Sequence, residues 1–424
     1  MSEAAAWMAE WVAQSPSAAV AQRSLGDPER RFPLWPPLLR GCPATSTADM
    51  QYPLDIDYDD GRIDALRLFA DPPLPGLGRW APLLPPLAPG LSLGEGGTPL
   101  VAASPRLREW SGCAGELLLK DESHNPTWSH KDRLNLCIVS AALATGAPGV
   151  AVASSGNHGA SAAAYAARAG LQCVVVTSPS AQPAFRHFLA ALGARVVLAA
   201  AEERWPVLNR LVAATGFMPA SNLTRFHTGH PFGPEGYKTI AYEIFLQLGR
   251  RVPGTVIVPT GYGELLYGLS KGFRDLTRHG LADDVPRLCS AEPAVRGPLH
   301  RAVQGNAAAI EVQGPASLAA GIAATVGGYR GVLALRDGAG RALLFSEESV
   351  RGAAQALARD GLWQEYSGAA ALAALREACR AGERFAAPVV AILTSSGLKE
   401  IPGAAGETPA FDAASLDRLI AALG

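Results

Sequence analysis

The sequence predicts an α/β protein of two lobes, each with a mostly parallel sheet flanked by helices. The first observation behind this prediction is the alternation of short apolar segments with alanine-rich segments of helical character between residues 116 and 259. Such alternation is typical of parallel strands joined by helices that lie on both faces of the sheet. The second observation is length, because 424 residues can bury at least one large core and favour two lobes.

The predicted elements can be placed in order along the chain. Residues 1–90 are irregular and rich in proline, and we interpret them as an arm that wraps around the remainder. A less regular stretch at 296–341 separates the last predicted strand from the others. The predicted strands are 116–120, 150–153, 172–177, 195–199, 255–259 and 387–394, and the predicted helices are 131–143, 160–168 and 182–192. Ligands of such sheets bind beyond the carboxyl ends of the strands, where the polar loops of this chain fall.

Composition argues against several classes of function. The net charge is −1 and the pI is near 6.7, without a long basic run, so we expect no nucleic-acid partner. No segment approaches the roughly 18 uncharged apolar residues of a membrane span, and the first residues do not resemble a signal peptide. The cysteines are scattered singly, which is typical of reduced thiols and predicts a cytoplasmic location. Cys42 is the only cysteine of the arm, so we predict no metal site there.

Lys131 is the candidate for covalent chemistry. Only five of the 37 basic residues are lysines, and a lysine in a chain that otherwise uses arginine suits a task that requires deprotonation. Lys131 begins a predicted helix with Ser129 as the expected N-cap, so its amine would lie at the positive end of the helix dipole. The dipole disfavours protonation, and a neutral amine can attack a carbonyl to form a Schiff base.

Three polar loops follow predicted strands. In the first, Gly156 and Asn157 offer backbone N–H groups and a side-chain amide to a carboxylate or a ring oxygen. In the second, Gly261 and Gly263 allow backbone amides to approach a phosphate. The third begins with Thr394, whose hydroxyl could hydrogen-bond a pyridine nitrogen. Each loop also has a purely structural interpretation, as a turn for the first two and as helix capping for the third.

These segments resemble those of a known family. The chain resembles the fold-type-II pyridoxal-phosphate (PLP) enzymes, whose fold is like that of tryptophan synthase β, and within them the threonine synthase family. It is also similar to serine and threonine ammonia-lyases. With this resemblance we divide the chain into the arm at 1–90, a large PLP-binding domain at 91–135 and 240–424, and a smaller α/β domain at 136–239. The matching motifs occur in the family's order: 95–100 (EGGTPL), 120–122 (KDE), 125–127 (NPT), 129–133 (SHKDR), 154–157 (SSGN), 235–239 (EGYKT), 271–274 (KGFR) and 394–399 (TSSGLK).

The resemblance implies PLP as cofactor, a small amino acid as substrate and a homodimer. Lys131 would form the Schiff base with PLP and also move the Cα proton of the substrate. A neutral hydroxyl at the ring nitrogen would favour elimination and replacement over transamination. By resemblance the cofactor is further held by Asn157 at its ring oxygen, by Gly261, Tyr262 and Gly263 at its phosphate and by Thr394 at its nitrogen, and the substrate is held by Ser154, Ser155, Gly156 and His158.

The chain departs from the family's pattern near the substrate. Trp128 and His130 replace the small residue and the aromatic residue that usually precede the lysine. His158 is the residue usual in serine and threonine ammonia-lyases, where threonine synthases commonly have threonine. Gly233 stands where threonine synthases have an arginine for the substrate phosphate, so binding of a phosphorylated substrate should be weaker. Glu264 would place a carboxylate beside the cofactor phosphate, which is unfavourable unless the side chain turns away.

Three functions stay open from the sequence. The first is a PLP-dependent lyase or synthase that eliminates, and in some cases replaces, the side-chain substituent of a small hydroxy-, amino- or phospho-amino acid through an aminoacrylate or aminocrotonate. The alternative is threonine synthase proper, which converts O-phosphohomoserine to threonine and phosphate. The third is a PLP- and amino-acid-binding protein without catalysis, against which the presence of Lys131 and Asn157 argues.

Overall fold

The computed structural model describes residues 10–179, 181 and 183–400. The strands are β1 (Ala19–Ser24), β2 (Arg31–Pro33), β3 (Leu54–Tyr58), β4 (Leu100–Ala102), β5 (Leu117–Asp121), β6 (Gly149–Ala153), β7 (Gln172–Thr177), β8 (Arg195–Leu198), β9 (Met218–Pro219), β10 (Thr255–Pro259), β11 (Arg287–Pro293), β12 (Arg341–Phe345) and β13 (Val389–Leu393). The α-helices are α1 (Ala65–Leu68), α2 (Pro105–Ser111), α3 (Lys131–Ala144), α4 (Asn157–Arg168), α5 (Pro183–Ala191), α6 (Arg204–Thr215), α7 (Gly233–Gln247), α8 (Glu264–Arg278), α9 (Pro298–Gln304), α10 (Tyr329–Asp337), α11 (Glu347–Arg359) and α12 (Tyr366–Arg380).

The larger sheet has six strands in the order β12-β11-β10-β13-β5-β4. All neighbouring pairs are parallel except β4 with β5, which is antiparallel. Its central strands are buried along their whole length, because helices cover both faces. The carboxyl ends of β10, β11 and β13 therefore point to one edge of the sheet, where loops from distant parts of the chain meet.

The smaller sheet has four parallel strands in the order β8-β7-β6-β9. The buried strand β6 leads directly into α4, so the loop between them lies at the carboxyl edge of this sheet. Two mostly parallel sheets flanked by helices confirm the predicted α/β class. None of the helices in the described ranges is long and apolar enough to cross a membrane.

The arm is more regular than its proline content predicted. Strands β1, β2 and β3 form an antiparallel sheet in the order β2-β1-β3, with a register shift between Ala19 and Ala21. The strands are short and the loops between them contain proline, so no periodic pattern is long enough to reveal them. Several side-chain contacts tie this sheet to the helices; in two of them, Lys271 Nζ lies 2.8 Å from Asp55 Oδ1, and the Tyr58 hydroxyl donates to Glu235 Oε2 at 2.7 Å.

The N-cap of one helix and the first residue of another differ from the sequence prediction. Helix α3 begins at Lys131 as predicted, but its N-cap residue is His130, and the buried Ser129 hydroxyl has no hydrogen-bond partner among the described residues. Helix α4 begins at Asn157 rather than at Ala160, because the turn formed by the polar loop already has helical hydrogen bonds. Helix α5 matches its prediction at 182–192 closely, although residue 182 lies outside the described residues.

Helix α3 is held against α7 by a close approach of their backbones. A Cβ atom at Gly236 would overlap the carbonyl of Arg133, so only glycine allows this spacing. Most of α3 is buried, including Leu134 and Ile138 on the face that meets α7. The start of α3, with Lys131, is therefore placed by the core rather than by a surface loop.

Candidate active site

The described part of the chain contains a cavity of about 280 Å³ that opens where the polar loops of both sheets meet. Loops that follow β6, β10 and β13 line it, together with the start of α3. Every site residue named from the sequence lies on this cavity: Lys131, Ser154, Ser155, Gly156, Asn157, His158, Gly261, Tyr262, Gly263 and Thr394. The tertiary structure thus brings together residues as far apart in the sequence as Lys131 and Thr394.

Lys131 presents its amine to the cavity. Its Nζ donates to the hydroxyl of Tyr237 at 3.0 Å. Burial is the largest influence on its ionisation and lowers the pKa of the Lys131 amine, while Glu264 acts in the opposite direction. Burial therefore favours the neutral amine of Lys131, the same direction that we predicted from the helix dipole.

The other four lysines have different roles. Three are buried in ion pairs, and their charges are already balanced by carboxylates. The fourth, Lys399, lies next to the cavity and donates to an amide. The contacts are Lys120 with Glu243 at 2.7 Å, Lys238 with Glu235 at 2.9 Å, Lys271 with Glu235 at 2.7 Å, and Lys399 Nζ with Asn157 Oδ1 at 2.6 Å. Of the five lysines, only Lys131 lines the cavity.

Asn157 is held from both sides of its amide. Lys399 donates to Oδ1, and Nδ2 donates to Glu365 Oε1 at 2.7 Å. An ammonium group only donates and a carboxylate only accepts, so the two neighbours determine which way the amide faces. Nδ2 has a second N–H, and Asn157 lines the cavity. Sequence reasoning missed Glu365 entirely and treated Lys399 only as part of a motif.

Around the first polar loop, the histidines are neutral. Burial lowers the pKa of His158 to about 3, and that of His230 to about 3. Burial likewise lowers the pKa of His130 and His227 well below the ordinary value. At pH 7 none of the four supplies a positive charge for a phosphate or a carboxylate. The His158 Nε2 atom is buried and has no hydrogen-bond partner among the described residues.

The glycine loop after β10 depends on backbone conformations that glycine allows. Gly263 has φ +91°, and a Cβ there would lie 2.6 Å from the Cα of Gly331. The loop is therefore packed against the start of α10 without room for a side chain. The ring of Tyr262, the residue between the two glycines, stacks on His227 with centroids 4.1 Å apart.

Glu264 turns towards a neighbouring loop. A Cβ on Gly229 would overlap its carboxylate, and Oε1 lies 3.9 Å from Nη1 of the buried Arg330. Burial raises the pKa of Glu264, although Arg330 and Lys131 oppose the shift. The orientation of Glu264 towards Gly229 and Arg330 lessens the electrostatic conflict with a phosphate that the sequence predicted.

Thr394 joins the end of β13 to the loop before α3. Its carbonyl accepts hydrogen bonds from the backbone N–H of His130 at 3.1 Å, and Nδ1 of that histidine lies 3.2 Å from the same oxygen. This contact brings the last strand of the larger sheet to the residue that precedes Lys131.

A buried network of ion pairs holds the start of α3 in place. Arg133, two residues after Lys131, pairs with Glu122 at 2.7 Å and with Glu243 at 2.6 Å. Lys120 shares the second carboxylate. Two cations and two anions are therefore paired without solvent, an arrangement that is costly to break. The network holds the backbone of α3, and with it Lys131, against β5 and α7.

Gly233 lies outside the cavity. It is the first residue of α7, and a Cβ there would lie 3.0 Å from Leu134 Cγ and 3.2 Å from Ile138 Cδ1. A larger side chain at this position would have to enter the core between α3 and α7. Gly233 therefore supplies no side chain to the cavity, and the expectation of weaker binding of a phosphorylated substrate stays a prediction.

Comparison with known proteins agrees with this geometry. Residues 91–395 match the family described as pyridoxal-phosphate dependent enzyme. The chain is 31% identical to the threonine synthase of Methanosarcina acetivorans over 352 residues, which cover 82% of this chain and 85% of that protein. It is 34% identical to the threonine synthase of Mycobacterium leprae over 340 residues, which cover 77% and 88% of the two chains.

A solved structure of a threonine deaminase from T.th. matches with a TM-score of 0.60 and 27% identity, over 70% of this chain and 92% of that one. Its fold agrees with the mostly parallel sheets described above. The fold-type-II prediction and the resemblance to threonine synthases are thus confirmed. The chain belongs to the family of pyridoxal-phosphate dependent enzymes.

Proposed function

We propose that this PLP-dependent enzyme eliminates the side-chain substituent of a small amino acid, with or without its replacement by a nucleophile. The observation that carries the proposal is the Lys131 amine, which lies in the cavity with a pKa lowered by burial. An amine that loses its proton readily can bond to a carbonyl carbon and can later accept a proton. The structural relationship to lyases and synthases of this family supports the same class of reaction.

The residues of the cavity fit PLP. Lys131 would hold its carbonyl carbon, the free N–H of Asn157 its ring oxygen, the amides of the 261–263 loop its phosphate and the Thr394 hydroxyl its ring nitrogen. The restricted backbone at Gly263 and the fixed orientation of the Asn157 amide are both consistent with a preformed binding site. When bound, PLP supplies a ring that accepts electrons from the substrate Cα.

The chain's own residues would then position the substrate and move its proton. Ser154 and Ser155 would hold the α-carboxylate at the start of α4, where backbone N–H groups point outwards. Lys131 would take the proton from Cα and return it to the product or to the leaving group. Gly156 and the neutral His158 would complete the wall on the substrate side.

Threonine synthase proper is the second candidate. It is favoured by the 31–34% identity to threonine synthases over more than three quarters of the chain. The position of Gly233 in the core means that any recognition of a substrate phosphate must come from other residues. Activity towards O-phosphohomoserine distinguishes this candidate from a lyase that acts on β-substituted amino acids.

The test begins with the absorption spectrum of the purified protein. Serine, threonine, diaminopropionate, O-phosphoserine and O-phosphohomoserine are then added one at a time, while keto acid and phosphate are assayed. Keto acid from a β-substituted amino acid would establish the lyase, and phosphate from O-phosphohomoserine alone would establish threonine synthase. Spectral shifts without any turnover would favour a non-catalytic amino-acid-binding protein, and no cofactor band after addition of PLP would overturn the role of Lys131.

A homodimer and a cytoplasmic location are part of the proposal. The dimer is expected from the family and can be checked by sedimentation equilibrium. The cytoplasmic location is supported by six free cysteines, of which five are buried, because isolated thiols are usual in reducing compartments. We expect no nucleic-acid partner.

A further inference from the structure

Two arginines that no motif singled out line the cavity with Lys131. Arg204 is the first residue of α6, next to the four-stranded sheet, and Arg296 follows β11 of the six-stranded sheet. A group bound between them would therefore contact elements of both sheets. Their position in the cavity raises the question of which ligand needs two guanidinium groups.

Neither guanidinium has a carboxylate partner in the described ranges, 10–179, 181 and 183–400. The cavity's two carboxylates are engaged elsewhere: Glu264 lies near Arg330, and Glu365 accepts from Asn157. Nearby histidines are neutral at pH 7, so they neither add to nor balance the charge. The two guanidinium groups therefore lack a carboxylate partner among the described residues, and an anionic ligand could supply one.

Both arginines retain hydrogen-bond donors for a ligand. Arg296 donates from Nε and Nη2 to the carbonyl of Gly314, at 3.4 and 3.3 Å, and from Nη1 to that of Ala323. These contacts orient the guanidinium and use three of its five N–H groups. Arg204 donates from Nε to Ala201 O at 3.4 Å, a weak contact that leaves its Nη groups for other partners.

Tyr262 adds a third donor at the same place. Its electrostatic neighbours include both arginines, which act to lower its pKa, while burial acts more strongly to raise it. The hydroxyl thus stays protonated at neutral pH and can donate to an anion. Its ring is fixed by the stack on His227, so the hydroxyl has a defined position.

We propose that Arg204, Arg296 and Tyr262 form a distal subsite that binds an anionic group on the side chain of the substrate. This proposal rests on the proposed function, in which Ser154 and Ser155 hold the α-carboxylate and leave the arginines for a second anion. The side chain would carry a carboxylate or a phosphate, because planar guanidinium groups bind the oxygens of both. Recognition by these residues would replace the arginine that Gly233 cannot supply.

Calorimetric binding to the PLP-loaded protein tests the subsite without reliance on turnover. Two matched pairs serve as ligands, serine with O-phosphoserine and asparagine with aspartate, because each pair differs mainly in side-chain charge. We expect the anionic member of at least one pair to bind roughly tenfold more tightly or better. Preference in the first pair indicates a phosphate and preference in the second a carboxylate.

Variants then assign the preference to the arginines. Arg204→Gln should reduce the preference to about twofold or less and leave the affinity for the neutral amino acid unchanged. Arg296→Lys keeps the charge but loses the two-pronged geometry, and it should also reduce the preference. Arg225→Gln is the matched control, because Arg225 is exposed, pairs with Glu311 at 3.1 Å and lies outside the cavity.

The possible outcomes distinguish a wrong subsite from a wrong proposed function. If serine or asparagine binds but neither anionic partner is preferred, the subsite is wrong and the proposed function stands. A preference that survives Arg204→Gln and Arg296→Lys also overturns the assignment. If no amino acid binds the PLP-loaded protein, both the subsite and the proposed function fail.

Discussion

Lys399 Nζ lies 2.6 Å from the Oδ1 atom of Asn157, although 242 positions separate the two residues. This contact, with the Glu365 carboxylate on the other side of the amide, gives Asn157 one orientation. The structure therefore places a second lysine beside the predicted cofactor site, in addition to Lys131. The distinction between the two lysines can be measured.

Replacing Lys131 with alanine should abolish both the absorption band of lysine-bound PLP and turnover. Lys131 is the lysine that lines the cavity, and its removal leaves no amine at that position. The measurement is the absorption spectrum of the variant after addition of PLP. Lys399→Met is the control and should retain the band. A band in the Lys131 variant that disappears when Lys399 is also removed would show that Lys399 reaches the cofactor.

Lys399→Met should change the pH dependence of stability. Burial lowers the pKa of Lys399 from 10.5 to about 8 in the folded protein. Between these values the unfolded chain binds the proton more tightly, so the free energy of unfolding gains a contribution as pH rises from about 8 to 10.5. Urea unfolding at several pH values should show a smaller rise for the variant than for the wild type. Parallel curves would show that Lys399 titrates normally.

Asn157→Asp should weaken the cofactor site more than Asn157→Ala. The new carboxylate would face Glu365, whose Oε1 now accepts a hydrogen bond from Asn157 Nδ2 at 2.7 Å, and it would also lack the N–H for the ring oxygen. We expect the alanine variant to keep lysine-bound PLP with impaired turnover. Spectral titration with PLP measures both variants. Equal PLP affinity in the wild type and both variants would mean that the loop with Asn157 is only a structural turn.

Gly263→Ala should loosen PLP binding and destabilise the fold. The residue has φ +91°, and the added Cβ would lie 2.6 Å from Gly331 Cα, so backbone strain and a clash add together. Gly170→Ala is matched in backbone conformation, with φ +68° and no neighbour within 4 Å, and should cost only about 1–2 kcal/mol. Urea unfolding and PLP titration compare the two. The same PLP affinity in both variants would contradict a role for the glycine loop.

Glu243→Gln should lower the free energy of unfolding by about 3–5 kcal/mol, because it leaves Arg133 and Lys120 with too little buried negative charge. Glu109→Gln, on the exposed face of α2, is the control and should change it by less than about 0.5 kcal/mol. Denaturant unfolding at pH 7 measures both. Similar unfolding midpoints for the two variants would show that the ion network contributes little to the free energy of unfolding.

Protonation of the Glu243 carboxylate should make the folded protein less stable in acid. Its two cationic neighbours lower the pKa of Glu243 from 4.5 to about 2 against the effect of burial. Its stabilising contribution is therefore complete above pH 4.5 and is lost as pH falls towards 2. Unfolding curves of the wild type and the Glu243→Gln variant should converge over this range.

The parts of the fold that could be predicted are those with local signals. Strands β7 and β10 and the start of α3 were placed to the residue, because each is a continuous apolar run or follows a clear loop. The strands of the arm lack such a signal, because they have only three to six residues and lie between loops that contain proline. The N-cap of α3 was assigned to Ser129 by residue preference, but tertiary contacts at His130 and Thr394 decide how the chain enters the helix.

The sequence by itself determined the α/β class, the lysine for covalent chemistry and the loops that line the cavity, since helical and strand periodicity and loop composition are local properties. Only the tertiary structure decided that Glu365 and Lys399 orient Asn157, that Gly233 is in the core and that Arg204 and Arg296 share the cavity. Contacts between residues hundreds of positions apart depend on how helices and sheets pack. Neither spacing nor composition along the chain records that packing.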